Sequence, residues 1–254
     1  MKRLLVSAAL AVTVFAVAPL ASAQPKPLRV LCSNGIRAVV EELEPQLERA
    51  AGQPLVIEYG TSAVVRQKID SGAPFDVAVL TVEVIDGLAK GGKVAPDSVA
   101  ALGRSAVGIG VRAGSPVPDL RTPDAVKQAF LAAKSVTWVG SGAARAPVDR
   151  MLQALGIADA VAAKLAVAQS VEEALKRVET GESELTVMLA SEILPVAGLK
   201  YAGPFPGQFA SYVSFAGAAS AATTSRAAAD RFVAALRAPT SANAYATKGM
   251  ELPH

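Results

Sequence analysis

Short apolar segments alternate with amphipathic segments along most of the chain. A short apolar run predicts a buried strand, and apolar residues that recur every three or four positions predict a helix. In the first part of the chain this pattern predicts strands at 28–32, 55–59 and 76–80, and helices at 36–51, 62–70 and 82–90. We expect Pro45 to kink or divide the first helix, because proline removes a backbone donor from a helix interior. The alternation is typical of βαβ units and a mostly parallel sheet.

The same alternation resumes after a polar break near Arg104. Strands are predicted at 106–111, 136–139, 185–189, 199–202 and 212–216, and helices at 123–133, 147–155, 171–180 and 225–237. Thr122 and Ser225 precede two of these helices and are expected to cap them. Two βα series separated by a break predict an α/β protein with two lobes and a cleft between them. We expect the first lobe to comprise residues 24–105 and 205–254, and the second lobe residues 106–204.

The N-terminal segment has the composition of a secretory signal peptide. Lys2 and Arg3 precede an apolar segment, and residues 21–23 are Ala-Ser-Ala, the small residues that a signal peptidase reads. We expect residues 1–23 to be removed and the mature protein to lie in the periplasm; the alternative is an uncleaved N-terminal anchor. No later apolar stretch reaches the roughly 18 residues that a membrane-spanning helix needs, so we expect a soluble mature chain.

Charge and composition exclude several classes of function. The formal net charge is +3, and it falls to +1 without Lys2 and Arg3. A nucleic-acid-binding protein normally carries a concentrated basic face, so we expect no nucleic-acid partner. The chain has one cysteine, Cys32, and one histidine, His254. It therefore has no intrachain disulfide and lacks the usual Ser/His, Cys/His and zinc arrangements, and we expect no metal, no cofactor and no enzymatic activity. Chemistry with Asp, Glu or Lys stays open.

Three loops that follow predicted strands share a composition of small, polar residues. Each of them precedes a predicted helix: Ser33-Asn34-Gly35, Gly60-Thr61-Ser62 and Gly140-Ser141-Gly142-Ala143-Ala144. Ligands of open α/β sheets bind beyond the carboxyl ends of the strands, where the free N–H groups and the dipole of a helix N-terminus favour an anion. Ser, Thr and Asn before a helix are also ordinary caps. The loops therefore support either an anion site or simple capping.

The second loop and the turn after its helix carry a recognisable motif. It consists of Tyr59-Gly60-Thr61-Ser62-Ala63, Gln67 and Ile69-Asp70-Ser71-Gly72-Ala73-Pro74-Phe75-Asp76-Val77. This motif resembles the signature of periplasmic molybdate-binding proteins, in which the Gly-Ala-Pro-x-Asp segment is the most specific part. Weaker similarities follow at Gly181-Glu182, Pro204-Phe205-Pro206 and Lys248-Gly249-Met250-Glu251. The resemblance implies a type II periplasmic-binding-protein fold, with two α/β lobes, a hinge and an interlobe cleft.

The resemblance also implies a set of ligand-binding residues. In the family, hydroxyls and backbone N–H groups bind the oxyanion without a countercharge. Ser33 and Ser62 match the serines of the first and second loops, and Asn34 and Thr61 are adjacent candidates. Ala144 lies near the third-loop residue that offers a backbone N–H group.

Other positions depart from the family pattern. The ligand tyrosine of the family corresponds here to Leu189 or Ala190, and the third loop carries Ser141 and Arg145 in place of the usual residues. Arg145 is either a guanidinium that could pair with a carboxylate or phosphate, or a solvated residue at a helix start. We expect Glu192 to cap or pair locally.

The sequence therefore predicts the periplasmic substrate-binding component of an ABC importer. We expect a monomer that binds a molybdate- or tungstate-like oxyanion, closes one lobe over it and meets a permease at the inner membrane. Two alternatives stay open: another small anion, such as a carboxylate, in the same fold, and a periplasmic partner of a sensor. A hydrolase with Ser33 or Ser62 as nucleophile is disfavoured, because no histidine base is nearby.

Overall fold

The computed structural model describes residues 26–253, and the predicted signal peptide lies outside them. The strands are β1 (Leu28–Ser33), β2 (Leu55–Gly60), β3 (Val77–Thr81), β4 (Ala100–Arg112), β5 (Val136–Val139), β6 (Leu165–Ala168), β7 (Leu185–Leu189), β8 (Leu199–Pro204), β9 (Tyr212–Ala219) and β10 (Met250–Glu251). The α-helices are α1 (Arg37–Ala51), α2 (Ser62–Asp70), α3 (Val82–Lys90), α4 (Pro123–Ala132), α5 (Arg145–Ala154), α6 (Ala158–Ala162), α7 (Val171–Glu179), α8 (Ala190–Ile193), α9 (Arg226–Leu236) and α10 (Ala242–Thr247). Within the described part of the chain, no helix combines the length and the apolar character needed to cross a membrane.

The strands form two groups that share β4. Their order is β2-β1-β3-β9-β4-β7-β5-β6, and both β8 and β10 also pair with β4. β1 runs parallel to β2 and β3, and β5 runs parallel to β6 and β7, whereas β9 and β4 are antiparallel to their neighbours. This arrangement confirms the predicted α/β fold with parallel βα units.

The long strand β4 connects the two groups. Its residues 100–106 pair with β9, and residues 107–111 pair with β7. We call the group of β1, β2, β3, β9 and β10 the first lobe, and the group of β5 to β8 the second lobe. The chain returns to the first lobe between β8 and β9. The predicted lobe limits, 24–105 with 205–254 and 106–204, stay a prediction. β4 changes its pairing partner from β9 to β7 after residue 106, next to the predicted limit at residue 105.

Two of the predicted breaks are wrong. The polar break near Arg104 lies inside the continuous strand β4. Arg104 forms an ion pair with Glu251 of β10 at 2.7 Å, so the polar residue that suggested a break is an exposed side chain of the strand. Pro45 does not divide the first helix: α1 is continuous, because its apolar face (Val39, Val40, Leu43, Leu47 and Ala51) is buried and outweighs one lost hydrogen bond.

Other differences concern short elements and caps. The pattern did not predict α6, β6, α8, α10 or β10, which are too short to show a clear period. The expected cap of α4 is confirmed, since Thr122 Oγ1 accepts a hydrogen bond from the Ala125 N–H at 3.1 Å. Ser225 is the N-cap residue of α9, as predicted, but its side chain makes no hydrogen bond to the helix.

Candidate functional site

A cavity lies between the lobes, beyond the carboxyl ends of β1, β2, β5 and β7. The first lobe lines it with Ser33, Gly35, Thr61, Ser62 and Phe215, and the second lobe with Trp138, Val139, Gly142, Ala143, Ala144, Arg145, Val148, Val171, Val187, Met188, Leu189 and Glu192. Among the predicted site residues, the structure thus brings together Ser33, Thr61, Ser62, Ala144, Arg145 and Leu189; Asn34 and Ser141 are outside this lining.

Three buried hydroxyls line the first-lobe side of the cavity. Ser33 Oγ accepts a hydrogen bond from the Gly35 N–H at 3.4 Å, and Ser62 Oγ accepts one from the Thr81 N–H at 3.1 Å. Thr61 Oγ1 accepts one from the Val64 N–H at 3.3 Å and thereby caps α2. A hydroxyl that accepts in this way still has a proton to donate. Capping and ligand binding are therefore compatible, because they use opposite sides of the same oxygen.

The three predicted loops differ in how they begin helices. Thr61 and Ala144 are the N-cap residues of α2 and α5, whose first N–H groups have no acceptor inside the helix. The first loop instead forms a 3-10 turn at Asn34–Ile36, which Ser33 caps and which runs directly into α1 at Arg37. The turn brings the Gly35 backbone into close contact with both lobes. A Cβ atom there would collide with Phe215 Cζ and lie 2.8 Å from Leu189 Cδ1.

Arg145 lies at the second-lobe wall of the cavity and is held in place by two contacts. Its Nε donates a hydrogen bond to Asp149 Oδ2 at 2.8 Å, and its guanidinium carbon lies 4.5 Å from the centre of the Trp138 ring. The terminal guanidinium nitrogens donate to no residue in the part of the chain that the structure describes. Arg145 is thus oriented and retains free donors, and its contact with a ligand stays a prediction.

The two predicted residues outside the cavity lining have different surroundings. Ser141 Oγ lies 3.0 Å from Thr61 Oγ1, so the pair joins the third loop to the second across the cleft. The Asn34 side chain is partly buried, and its Oδ1 atom accepts no hydrogen bond from residues 26–253.

A second pair crosses the cleft where Arg37 Nη1 lies 3.0 Å from Glu172 Oε1.

Glu192 is the ionisable residue of the cavity that sequence reasoning missed. It belongs to α8, which follows β7 without a loop, and its Oε2 accepts a hydrogen bond from the Leu189 N–H at 3.2 Å. The expected local hydrogen bond is therefore present, but the side chain also lines the cavity. Desolvation by the surrounding protein raises the pKa of Glu192 to about 7; the Leu189 N–H opposes this and the charge of Glu172 adds to it. One sequence signal could have identified Glu192. It lies one turn after Leu189, the strand end that corresponds to the ligand tyrosine of the molybdate-binding proteins.

The remaining wall of the cavity is apolar. It is formed by Val139, Val148, Val171, Met188, Leu189 and Phe215. Among residues 26–253, no group of three or more His, Cys, Asp or Glu side chains is arranged to hold a metal ion. The cavity therefore combines hydrogen-bond donors on the first lobe and at Arg145 with carbon atoms over the rest of its wall.

Residues 28–251 match the family described as bacterial extracellular solute-binding protein. The chain belongs to this family. The family assignment indicates a protein that acts outside the cytoplasm and binds a small ligand. It also confirms the predicted relationship to periplasmic solute-binding proteins.

Solved structures of this family's fold are similar to the chain over most of its length. The periplasmic molybdate-binding protein of Azotobacter vinelandii gives a TM-score of 0.74 at 21% identity, covering 89% of this chain and 100% of that one. The sulfate-binding protein SubI of Mycobacterium tuberculosis gives 0.67 at 21% identity, covering 90% of this chain and 87% of that one. These similarities confirm the type II periplasmic-binding-protein fold.

A sequence relative corrects one expectation. A protein of a Pseudomonas species named aconitate isomerase is 32% identical over 219 residues, which cover 83% of this chain and 82% of its own. That relative is an enzyme, so the expectation that the chain has no enzymatic activity is wrong. The error arose because the lack of an internal histidine and of a second cysteine excludes several kinds of catalytic site but does not exclude proton transfer by a carboxyl group.

Proposed function

We propose that the chain binds a small polycarboxylate of the aconitate type in the interlobe cavity and interconverts its double-bond isomers. The observation that carries this proposal is the composition of the cavity: hydroxyls, helix N-termini and Arg145 on some sides, and an apolar wall on the others. Carboxylates fit the donors, and a short carbon skeleton fits the apolar wall. The relative named aconitate isomerase supports the reaction.

The cavity suits a carboxylate better than a tetrahedral oxyanion. A molybdate-like ion presents oxygen in every direction and therefore needs donors all around it. Here the wall of valines, Met188, Leu189 and Phe215 would leave some oxygens of such an ion without a partner. We therefore favour a carboxylate over a molybdate-like oxyanion as the ligand.

The proposed reaction places three demands on the site. Aconitate is a three-carbon alkene with a carboxylate on each carbon, and its isomers differ in the geometry of the double bond. Because a double bond does not rotate freely, interconversion requires its temporary loss through a proton shift. The site must hold the carboxylates, exclude water and accept the proton. Arg145 and the hydroxyls of Ser33 and Ser62 would hold the carboxylates, and closure of the lobes would exclude water.

Transport is a second candidate function, which the contacts across the cleft favour. Thr61 with Ser141, and Arg37 with Glu172, hold the lobes together in a closed form. A membrane permease could recognise such a form, and the predicted signal peptide would place the protein in the periplasm. We therefore retain delivery of the same anion to an ABC permease as a proposal, and partnership with a sensor stays a prediction.

The test is a binding and turnover assay on the purified protein. Calorimetry with cis-aconitate, trans-aconitate, citrate, molybdate, tungstate and sulfate gives the ligand, and proton NMR of the two aconitates gives the isomerisation. We expect binding and interconversion of the aconitates. Arg145→Ala should weaken binding about 10-fold or more, as expected for loss of a charged donor, whereas Arg150→Ala, on an exposed position of the same helix, should not. Binding of molybdate, tungstate or sulfate alone would contradict the proposal.

A further inference from the structure

The cavity contains one side chain that can exchange a proton near neutral pH. Among the described residues that line it, Arg145 and Glu192 are the ionisable ones. A guanidinium stays protonated in proteins, so it can stabilise charge but cannot act as a base. The other lining residues are hydroxyl-bearing, apolar or glycine residues and Trp138. Glu192 is therefore the group on this wall that can take a proton from carbon.

The position of Glu192 is fixed by its neighbours on α8. Oε2 is anchored by the Leu189 N–H at 3.2 Å, and no residue among those described donates a hydrogen bond to Oε1. The next residue toward the N-terminus, Ser191, donates its hydroxyl to Gly35 O at 2.6 Å and its N–H to Ser105 Oγ at 3.0 Å. These bonds hold α8 against the first lobe. The carboxyl thus has one oxygen bound and one free in a preorganised position.

From this geometry we propose that Glu192 is the catalytic residue that carries the proton in the isomerisation. The inference rests on the proposed function of the cavity. It goes beyond that function because it assigns both proton transfers to one carboxyl group.

The proposed step is balanced within the substrate and Glu192. The ionised carboxyl removes a proton from the CH₂ carbon of the alkene tricarboxylate, breaking that C–H bond. The electron pair spreads over the three-carbon unit and the attached carboxylates, where the Arg145 guanidinium and the hydroxyl donors stabilise the added charge. The same carboxyl then returns the proton to the other terminal carbon, forming a new C–H bond and a shifted double bond. Since both terminal carbons carry carboxylates, the product is again aconitate.

The electrostatic surroundings of Glu192 agree with this role. Desolvation raises its pKa to about 7, so both the acid and the base are populated at neutral pH, as a group that takes and returns a proton requires. The charged neighbours are Glu172 on α7, which raises the pKa, Arg37 on α1, which pairs with Glu172, and Arg145 across the cavity wall.

The experiment compares Glu192→Gln with the wild type in binding, isomerisation and solvent exchange. Glutamine can still accept the Leu189 N–H bond, so the fold and the binding of trans-aconitate should change less than about threefold. The isomerisation rate and the exchange of substrate CH₂ protons in D₂O, both followed by NMR, should fall by about 10²- to 10⁴-fold. Glu83→Gln removes the same charge from an exposed position on α3 and should leave both rates unchanged. Glu192→Asp should retain part of the rate, and the wild-type rate should rise with pH through the range near 7.

The outcomes separate this inference from the proposed function. If the wild type isomerises aconitate and Glu192→Gln retains more than a tenth of the rate, the assignment of Glu192 is wrong and the proposed function stands. If the wild type binds the aconitates but neither isomerises them nor exchanges their protons, both the reaction and the assignment are wrong. A Glu192→Gln variant that has lost binding and rate equally would make Glu192 a binding residue and would also overturn the assignment.

Discussion

The hydroxyl oxygens of Thr61 and Ser141 lie 3.0 Å apart and join the two lobes across the cleft. Thr61 caps α2 in the first lobe, and Ser141 lies in the loop before α5 in the second. Both loops were predicted to bind the ligand, but here their side chains also bind each other. The contact links ligand enclosure to lobe closure, because the same loops form the cavity and hold it shut.

Removing the Ser141 hydroxyl should weaken the closed form. A neutral hydrogen bond contributes about 1 kcal/mol, so Ser141→Ala should lower the affinity for trans-aconitate about fivefold. Calorimetry measures the change. Ser115→Ala, in a loop outside the cavity whose side chain makes no hydrogen bond among residues 26–253, is the matched control and should bind like the wild type. Equal affinities of both variants would show that the Thr61–Ser141 contact does not hold the ligand-bound form.

Substitution of Gly35 should disturb the cavity wall. In Gly35→Ala, the new methyl group would collide with Phe215 Cζ and lie 2.8 Å from Leu189 Cδ1, so these side chains must move. Overpacking of this kind costs about 1–3 kcal/mol, and we expect a lower melting temperature together with weaker binding of trans-aconitate. Thermal unfolding and calorimetry give the two quantities.

A second substitution tests the cause of that effect. Phe215→Leu removes the ring atoms that lie nearest to the Gly35→Ala methyl group and leaves the contact with Leu189 Cδ1. The double variant should therefore lose less stability than the sum of the two single variants. Strict additivity would mean that Phe215 is not the residue that Gly35 must accommodate.

The raised pKa of Glu192 should make stability depend on pH. Its folded-state pKa of about 7 exceeds the 4.5 of a solvated glutamate, so between these values the folded protein binds more protons than the unfolded chain. The contribution of Glu192 to stability is therefore lost as pH rises from 4.5 to 7, by about 3 kcal/mol in all. Relative to the wild type, Glu192→Gln should gain stability between pH 4.5 and pH 8. Denaturant unfolding at both pH values measures this, and a constant difference would exclude the raised pKa.

Trp138 should report ligand binding. It is the single tryptophan of the sequence, it lines the cavity, and the Arg145 guanidinium lies 4.5 Å from the centre of its ring. A carboxylate that draws Arg145 toward itself would change the surroundings of the indole. We expect a saturable change in fluorescence with trans-aconitate, and a smaller one in Arg145→Ala. An unchanged spectrum at concentrations that saturate the calorimetric signal would mean that the ligand binds away from this wall.

Local patterns in the sequence were sufficient for the order of the main strands and helices. The predicted helix at 62–70 and strand at 185–189 coincide with α2 and β7, because each has a clear period and a clear boundary. The long strand β4 was predicted only in part, since its pairing with β9, β7, β8 and β10 is set by distant segments. Arg104 looked like a break because its partner, Glu251, lies far along the chain.

The candidate site shows the same limit. Ser33, Thr61, Ser62 and Arg145 could be predicted to lie near one another, since they follow strands whose carboxyl ends meet. The role of Glu192 could not, because its raised pKa depends on burial between segments that only the folded chain brings together.

The strand β4 gives backbone partners to both lobes, through residues 100–106 on one side and 107–111 on the other. Neither half can lose its structure without exposing unpaired amides in the other. We therefore expect the two lobes to unfold together, and we expect a cut at their boundary not to release two stable fragments. Relative movement of the lobes must be accommodated by flexing of this common strand and of the return segment between β8 and β9.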